Sequence, residues 1–170
     1  MLQAVKLNRE ARAFGGRFAI VASRYNATYV DSMLRAARRI LRSAGVKDVI
    51  VVRVPGAFEI PVVAAVLAGR EKAPVEVIIC LGVILRGQTT HAEHIGTGVT
   101  QALVRLQVEK EIPIIHEVLL LENEGQARAR CLDKEHNRGA EAAQTALAMA
   151  QVMRRLGARK SLGDGSSRRR

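Results

Sequence analysis

Hydrophobic positions along this chain switch between two periods. Short, almost uninterrupted apolar runs occur at 18–22 (Phe-Ala-Ile-Val-Ala), 49–52 (Val-Ile-Val-Val) and 75–81 (Val-Glu-Val-Ile-Ile-Cys-Leu). A fourth begins at Ile112-Pro-Ile-Ile and extends to 119. Runs of this length and composition predict strands buried on both faces. Between them the apolar residues recur at helical spacing. Val30, Met33, Leu34, Ala37, Ile40 and Leu41 predict a helix that Gly45 closes. Residues 58–69 predict a second helix, in which Pro61 is tolerable because it falls in the first turn. A long helix over 91–109, a short one over 126–130 and a last one marked by Ala143, Ala146, Leu147, Ala150 and Met153, ending near Leu156, complete the pattern.

Strands alternating with helices in this way need crossover connections. They predict an α/β fold, a three-layer αβα sandwich around a four-stranded parallel sheet. No internal repeat or linker divides it. Residues 16–157 form the predicted domain. A polar segment over 1–15 precedes it, whose short Val5-Lys-Leu7 stretch could add to a sheet edge, and a basic tail over 158–170, expected to be disordered, follows it.

At 170 residues the chain can bury one sizeable core. With 3% aromatic residues and no tryptophan, that core must be aliphatic. No apolar run reaches the roughly 18–20 residues of a membrane span, and no signal-peptide pattern opens the chain, so a cytoplasmic protein is expected. Two cysteines, Cys80 and Cys131, suggest neither a disulfide framework nor a metal cluster. The net charge of +11 is concentrated at one end, because the last seventeen residues carry seven Lys/Arg against one Asp. No aromatic residues interleave with those charges, so no nucleic-acid surface is expected.

In a parallel sheet the loops after the strands converge on one rim, where ligands bind. The first loop offers Arg24-Tyr-Asn26, where Tyr25 read alone packs the start of a helix. The second offers Gly56-Ala-Phe-Glu59. Its glycine lets a ligand approach the backbone, although capping alone would explain Glu59. The third offers Arg86-Gly-Gln-Thr-Thr-His91, where Gln88 and Thr89 sit among unpaired helix N–H groups that suit an anion, and His91 can act as acid or base near neutral pH. His94, three residues on, lacks the further ligands that a metal site would need. The fourth strand and the segment after it supply His116 and Arg130, and the Arg130 guanidinium suits a phosphate. No Walker-type loop, Gly-x-Gly-x-x-Gly or Ser/Cys triad appears, and no metal or cofactor is expected.

Taken together, Arg24-Tyr-Asn26, Val54-Pro-Gly-Ala-Phe-Glu-Ile-Pro61, Leu81-Gly-Val-Ile-Leu-Arg-Gly-Gln-Thr-Thr-His91, Glu122-Asn123 and Asn137-Arg-Gly-Ala-Glu-Ala-Ala143 resemble the lumazine synthase family. The resemblance covers about 18–156. It implies a flavodoxin-like fold and a cofactor-free transferase, which joins 5-amino-6-(ribitylamino)uracil to 3,4-dihydroxy-2-butanone 4-phosphate in the penultimate step of riboflavin biosynthesis. By the same resemblance Tyr25 stacks on the pyrimidine, Ala57, Phe58 and Glu59 hold the ribityl chain, and the backbone of Val83, Ile84 and Leu85 reads the pyrimidine edge. Gln88, Thr89 and Arg130 bind the phosphate, and His91 transfers protons. His116 stands where family members usually carry a phenylalanine contributed across a subunit boundary, and a His can still stack. Leu120-Leu121 replaces a Thr-Thr, and Arg138 replaces a lysine.

The family's shared site implies a homo-oligomer, a pentamer or an icosahedral shell of pentamers, with riboflavin synthase as a candidate packaged partner. Two other readings compete. One is a non-catalytic shell or flavin-binding protein on the same fold, motivated by His116. The other is a nucleic-acid binder that uses the basic tail.

Overall fold

The structure, a computed structural model, describes residues 16–164 and the side chains of residues 16–157. Its elements are β1 (Arg17–Ser23), α1 (Ala27–Ser43), β2 (Asp48–Val54), α2 (Ile60–Ala68), β3 (Val77–Leu85), α3 (His91–Lys110), β4 (Ile114–Leu121), α4 (Glu124–Cys131) and α5 (Arg138–Asp164). All four strands are parallel, in the spatial order β2-β1-β3-β4. β1 pairs with β2 from Arg17↔Asp48 to Ser23↔Val54, and with β3 from Phe18↔Val77 to Ala22↔Leu81. β3 pairs with β4 as far as Leu85↔Leu121. β3 therefore outruns its β1 partner beyond Leu81, which opens one side of its backbone at the carboxyl end of the sheet.

Successive strand residues face opposite sides, and the core divides accordingly. Phe18, Ile20, Val77, Ile79 and Leu81 pack under α1, α4 and α5, while Ala19, Val21, Ile78 and Cys80 pack under α2 and α3. Burying each large aliphatic side chain contributes about 1.5–3 kcal/mol, which lets Val, Ile and Leu stand in for the missing aromatics. α1 and α5 pack closely because Gly139 has no side chain, and a Cβ there would overlap the Met33 backbone. Asn137 fixes the start of α5. Its buried amide donates to the Cys131 carbonyl at 2.5 Å and accepts from the Gly139 N–H at 3.0 Å. Cys80 and Cys131 are both free and buried in different layers, and burial pushes both thiols up, Cys131 to about 11.

Several expected boundaries move. β3 begins two residues later than the apolar run over 75–81 suggests and continues to Leu85, because β4 pairs with it along that extension. β4 starts after Pro113, which lacks an N–H, and ends at Leu121 instead of 119. α2 is shorter than 58–69, because residues 56–59 form the turn that enters it. α5 passes the expected end near Leu156 and runs to Asp164, so the tail expected over 158–170 begins as helix. Ala158, Arg159, Lys160 and Leu162 are good helix formers, and a lone Gly157 costs only about 1 kcal/mol. The expected edge-pairing segment at 1–15 and the last six residues lie outside the described part. Among the described residues no helix is long and apolar enough to cross a membrane.

Candidate functional site

The carboxyl ends of β1, β2 and β3 open on a cavity of about 760 Å³. The loop after β1 contributes Tyr25 and Asn26, and the turn after β2 contributes Gly56, Ala57, Phe58 and Glu59. The end of β3 brings Val83, Ile84 and Leu85, and the first turns of α3 bring His91, His94 and Ile95. Tyr25 and Phe58 are 70% and 65% exposed, unusual for large aromatics in a chain with so few of them. Two aromatic faces are thus left bare at the mouth of one cavity, where a planar ligand could stack.

Backbone bonds lock these loops together. Arg24 N–H donates to the Val54 and Pro55 carbonyls (2.8 and 3.1 Å), and Tyr25 N–H donates to Pro55 (3.0 Å). Asn26 adopts the left-handed conformation (φ 56°), which Asn tolerates better than most residues, and its amide donates to the Val83 carbonyl at 2.8 Å. The loop after β1 is thereby fastened to both neighbouring strand ends. Gly56 lies against the Tyr25 ring, where a Cβ would sit 3.0 Å from Cδ2. Its N–H donates to Glu59 Oε2 at 2.8 Å, so the Glu59 carboxylate is held within its own turn.

The backbone of β3 adds directional groups. Arg86 N–H donates to Leu121 on the β4 side, whereas the Val83 carbonyl faces Asn26 on the other side. Backbone direction alternates along a strand, so Leu85 turns its N–H and C=O the same way as Val83. Among the described residues no strand covers that side beyond Leu81.

Gln88 and Thr89 are exposed just before α3, outside the cavity lining, with Thr89 Oγ1 accepting from the His91 N–H at 3.4 Å. The loop is bracketed by Arg86, whose guanidinium meets Glu93 at 2.5 Å and Glu122 at 2.8 Å. These two carboxylates raise the guanidinium pKa further and tie the head of α3 to the end of β4.

His116 and Arg130 stand apart from the cavity. The His116 imidazole lies on β4 against α3, 3.0 Å from Thr100 Oγ1, and partial burial lowers its pKa. Arg130 is exposed on the last turn of α4. On the same side of the sheet as α4, burial raises the Glu117 carboxyl to about 7 despite the opposing charges of Arg138 and Arg130. Among the described residues no group of three or more His, Cys, Asp or Glu could hold a metal ion.

A sequence model of the 6,7-dimethyl-8-ribityllumazine synthase family matches residues 15–154. The chain belongs to that family. It is 42% identical over 149 residues to the 6,7-dimethyl-8-ribityllumazine synthase of Mycobacterium avium, a match covering 86% of this chain and 91% of the relative. The enzymes of the same name from Xylella fastidiosa and Stenotrophomonas maltophilia are 40% and 38% identical. Those matches cover 86% and 82% of this chain, and 96% and 90% of the relatives.

Of the residues that the lumazine synthase resemblance singled out, Tyr25, Ala57, Phe58, Glu59, Val83, Ile84, Leu85 and His91 come together in the cavity. Gln88 and Thr89 lie beside it in sequence, and His116 and Arg130 do not line it. Four further residues line it, Gly56, Asn26, His94 and Ile95, of which the sequence gives Gly56 only a close approach to the backbone. Asn26 carries a signal of its own, because an Asn just before a helix marks a turn conformation. The spacing of His94 from His91 raises only a metal-ligand reading, and it lacks the further ligands. Ile95 carried no signal beyond helical periodicity.

Proposed function

We propose that this chain is a 6,7-dimethyl-8-ribityllumazine synthase. It joins 5-amino-6-(D-ribitylamino)uracil to 3,4-dihydroxy-2-butanone 4-phosphate and releases phosphate and water. The observation that carries the reading is a cavity lined by two bare aromatics, an open strand backbone and a histidine, in a chain of this family. Tyr25 stacks on the pyrimidine, while the backbone of residues 83–85 reads its edge. Residues 57–59 hold the ribityl chain, Gln88 and Thr89 bind the phosphate at the head of α3, and His91 moves protons.

The reaction asks little more of the protein. Holding two reactive partners in register can contribute about 7–11 kcal/mol, and one positioned acid–base group roughly 10²–10⁴-fold. No resident cofactor is needed for the condensation.

His116 and Arg130 complete the site of a neighbouring subunit in a homopentamer. The support is an apolar face that continues from His116. Val104 follows Thr100 by one turn of α3, and Val104, Val108, Val62 and Val66 are 52–71% exposed. Monomers rarely leave such a patch open. The assembly is cytoplasmic, and as pentamers or a shell of pentamers it could house the riboflavin synthase that consumes its product.

Incubating the purified protein with both substrates and following the lumazine chromophore tests the reading. Formation well above the spontaneous rate is expected, with His91→Ala lowering it about 10²-fold or more. No acceleration by a folded protein would contradict the reaction, and tight flavin or lumazine binding without turnover would then favour a non-catalytic shell.

A further inference from the structure

Two histidines reach the cavity. His94 lies one turn beyond His91 on α3, and residues three apart share a helix face. Neither imidazole has a hydrogen-bond or ion-pair partner among the described residues, whereas His116 is bound to Thr100 and His136 to Asp133. A pair of uncommitted imidazoles facing one space can supply a base and an acid at the same pH.

Few charged or titratable groups from the surrounding elements compete with them. The cavity itself holds Tyr25 from the loop after β1 and Glu59 at the head of α2, whose carboxylate the Gly56 N–H already engages. The body of α2 carries no titratable side chain. β3 brings only Cys80, fully buried with its thiol pushed up. β4 brings His116, bound to Thr100, and Glu117, whose charged neighbours Arg138, Glu141 and Arg130 belong to α4 and α5. At the head of α3, Arg86 and Glu93 are paired with each other.

Resting on the reaction proposed above, we propose that His94 is a second catalytic residue and divides the proton transfers with His91. Once the uracil amine has formed an imine with the ketone, phosphate must leave from the carbon two bonds away. His94 takes the proton from the intervening carbon, and that C–H pair becomes a C=C bond. The C–O bond to phosphate breaks, and its electron pair departs with the phosphate. His91, nearer the Gln88–Thr89 loop, donates a proton at the departing group. The two imidazoles exchange their surplus and deficit with solvent before the next turnover.

The test is the pH dependence of steady-state turnover for the assembled protein and its His94→Gln variant. Glutamine is a good helix former, and the assembly size of the variant verifies its fold. We expect kcat to fall at least about tenfold with KM for both substrates within about threefold, and the acid limb of the kcat profile to flatten. As a second measurement, imidazole NMR of the unsubstituted protein should show the His91 and His94 resonances both shifting when the lumazine product is added. Turnover of His94→Gln within about twofold of the parent with an unchanged pH profile overturns the assignment of His94 alone. So does a product-induced shift confined to His91. Absence of lumazine formation by the unsubstituted protein overturns the reaction, and this assignment with it.

Discussion

Along α1 the positions that leave the core carry Arg35, Arg38, Arg39 and Arg42, whereas along α2 and α3 the exposed positions include Val62, Val66, Val104 and Val108. Both layers cover the same sheet with aliphatic cores, yet they meet their surroundings differently. The α1 face is already satisfied by water, as guanidinium groups are. The α2–α3 face leaves apolar area uncovered beside a cavity with two bare aromatics. The α2–α3 side of the sandwich is therefore the one left uncovered in a single chain, and the candidate site lies there.

The largest effect is expected where α5 meets α1. Gly139→Val places atoms on the Met33 backbone and should cost several kcal/mol, at least about 3, read by denaturant unfolding. A variant as stable as the parent would contradict that packing. Next, Val66→Lys combined with Val104→Lys should abolish assembly while leaving the fold intact, as sedimentation and circular dichroism would report. An unchanged oligomer would place the interface elsewhere.

Glu117 gives a smaller and pH-dependent effect. Its folded pKa of about 7 exceeds its ordinary value of 4.5, so between these values the folded chain binds more protons than the unfolded one. Stability attributable to this group is therefore lost as pH rises from about 4.5 through 7, and Glu117→Gln should gain about 3 kcal/mol over the parent at pH 8 and almost nothing at pH 4. Melting at the two pH values checks it, and equal differences would remove Glu117 from the account. Smallest of all, Arg38→Gln with Arg42→Gln should change neither assembly nor turnover and alter stability by less than about 0.5 kcal/mol. A loss of assembly in that variant would reverse the contrast between the layers.

Much of this was legible in the sequence for a physical reason. Strands buried on both faces must read as continuous apolar runs, and the polar turns after them mark a parallel-sheet rim. The pattern therefore marks the rim loops at 24–26, 56–59 and 86–91, whereas the stacking role of Tyr25 and the part played by residues 83–85 follow only from the lumazine synthase resemblance. Strand ends were less legible, because pairing with β4 carries β3 to Leu85 and local composition does not record a partner's length. The extension of α5 was hidden by charge, since a basic segment reads as tail although its residues favour helix. The bracket from Arg86 to Glu93 and Glu122 brings a residue seven positions on and another beyond β4 to one guanidinium, and no spacing rule reports it. For His94 the periodicity placed it one turn from His91, but the sequence could not say that the shared face lines a cavity.

We propose a site completed between subunits, with His91 in one chain's cavity and Arg130 supplied by its neighbour. Mixing the inactive His91→Ala and Arg130→Ala chains one to one and reassembling them tests it directly. In a ring with head-to-tail contacts, random neighbours give about a quarter of sites both wild-type residues, so lumazine formation should return to about a quarter of the unsubstituted rate. If both residues serve the same chain's site, every mixed site lacks one of them, and the mixture should remain as inactive as its parts.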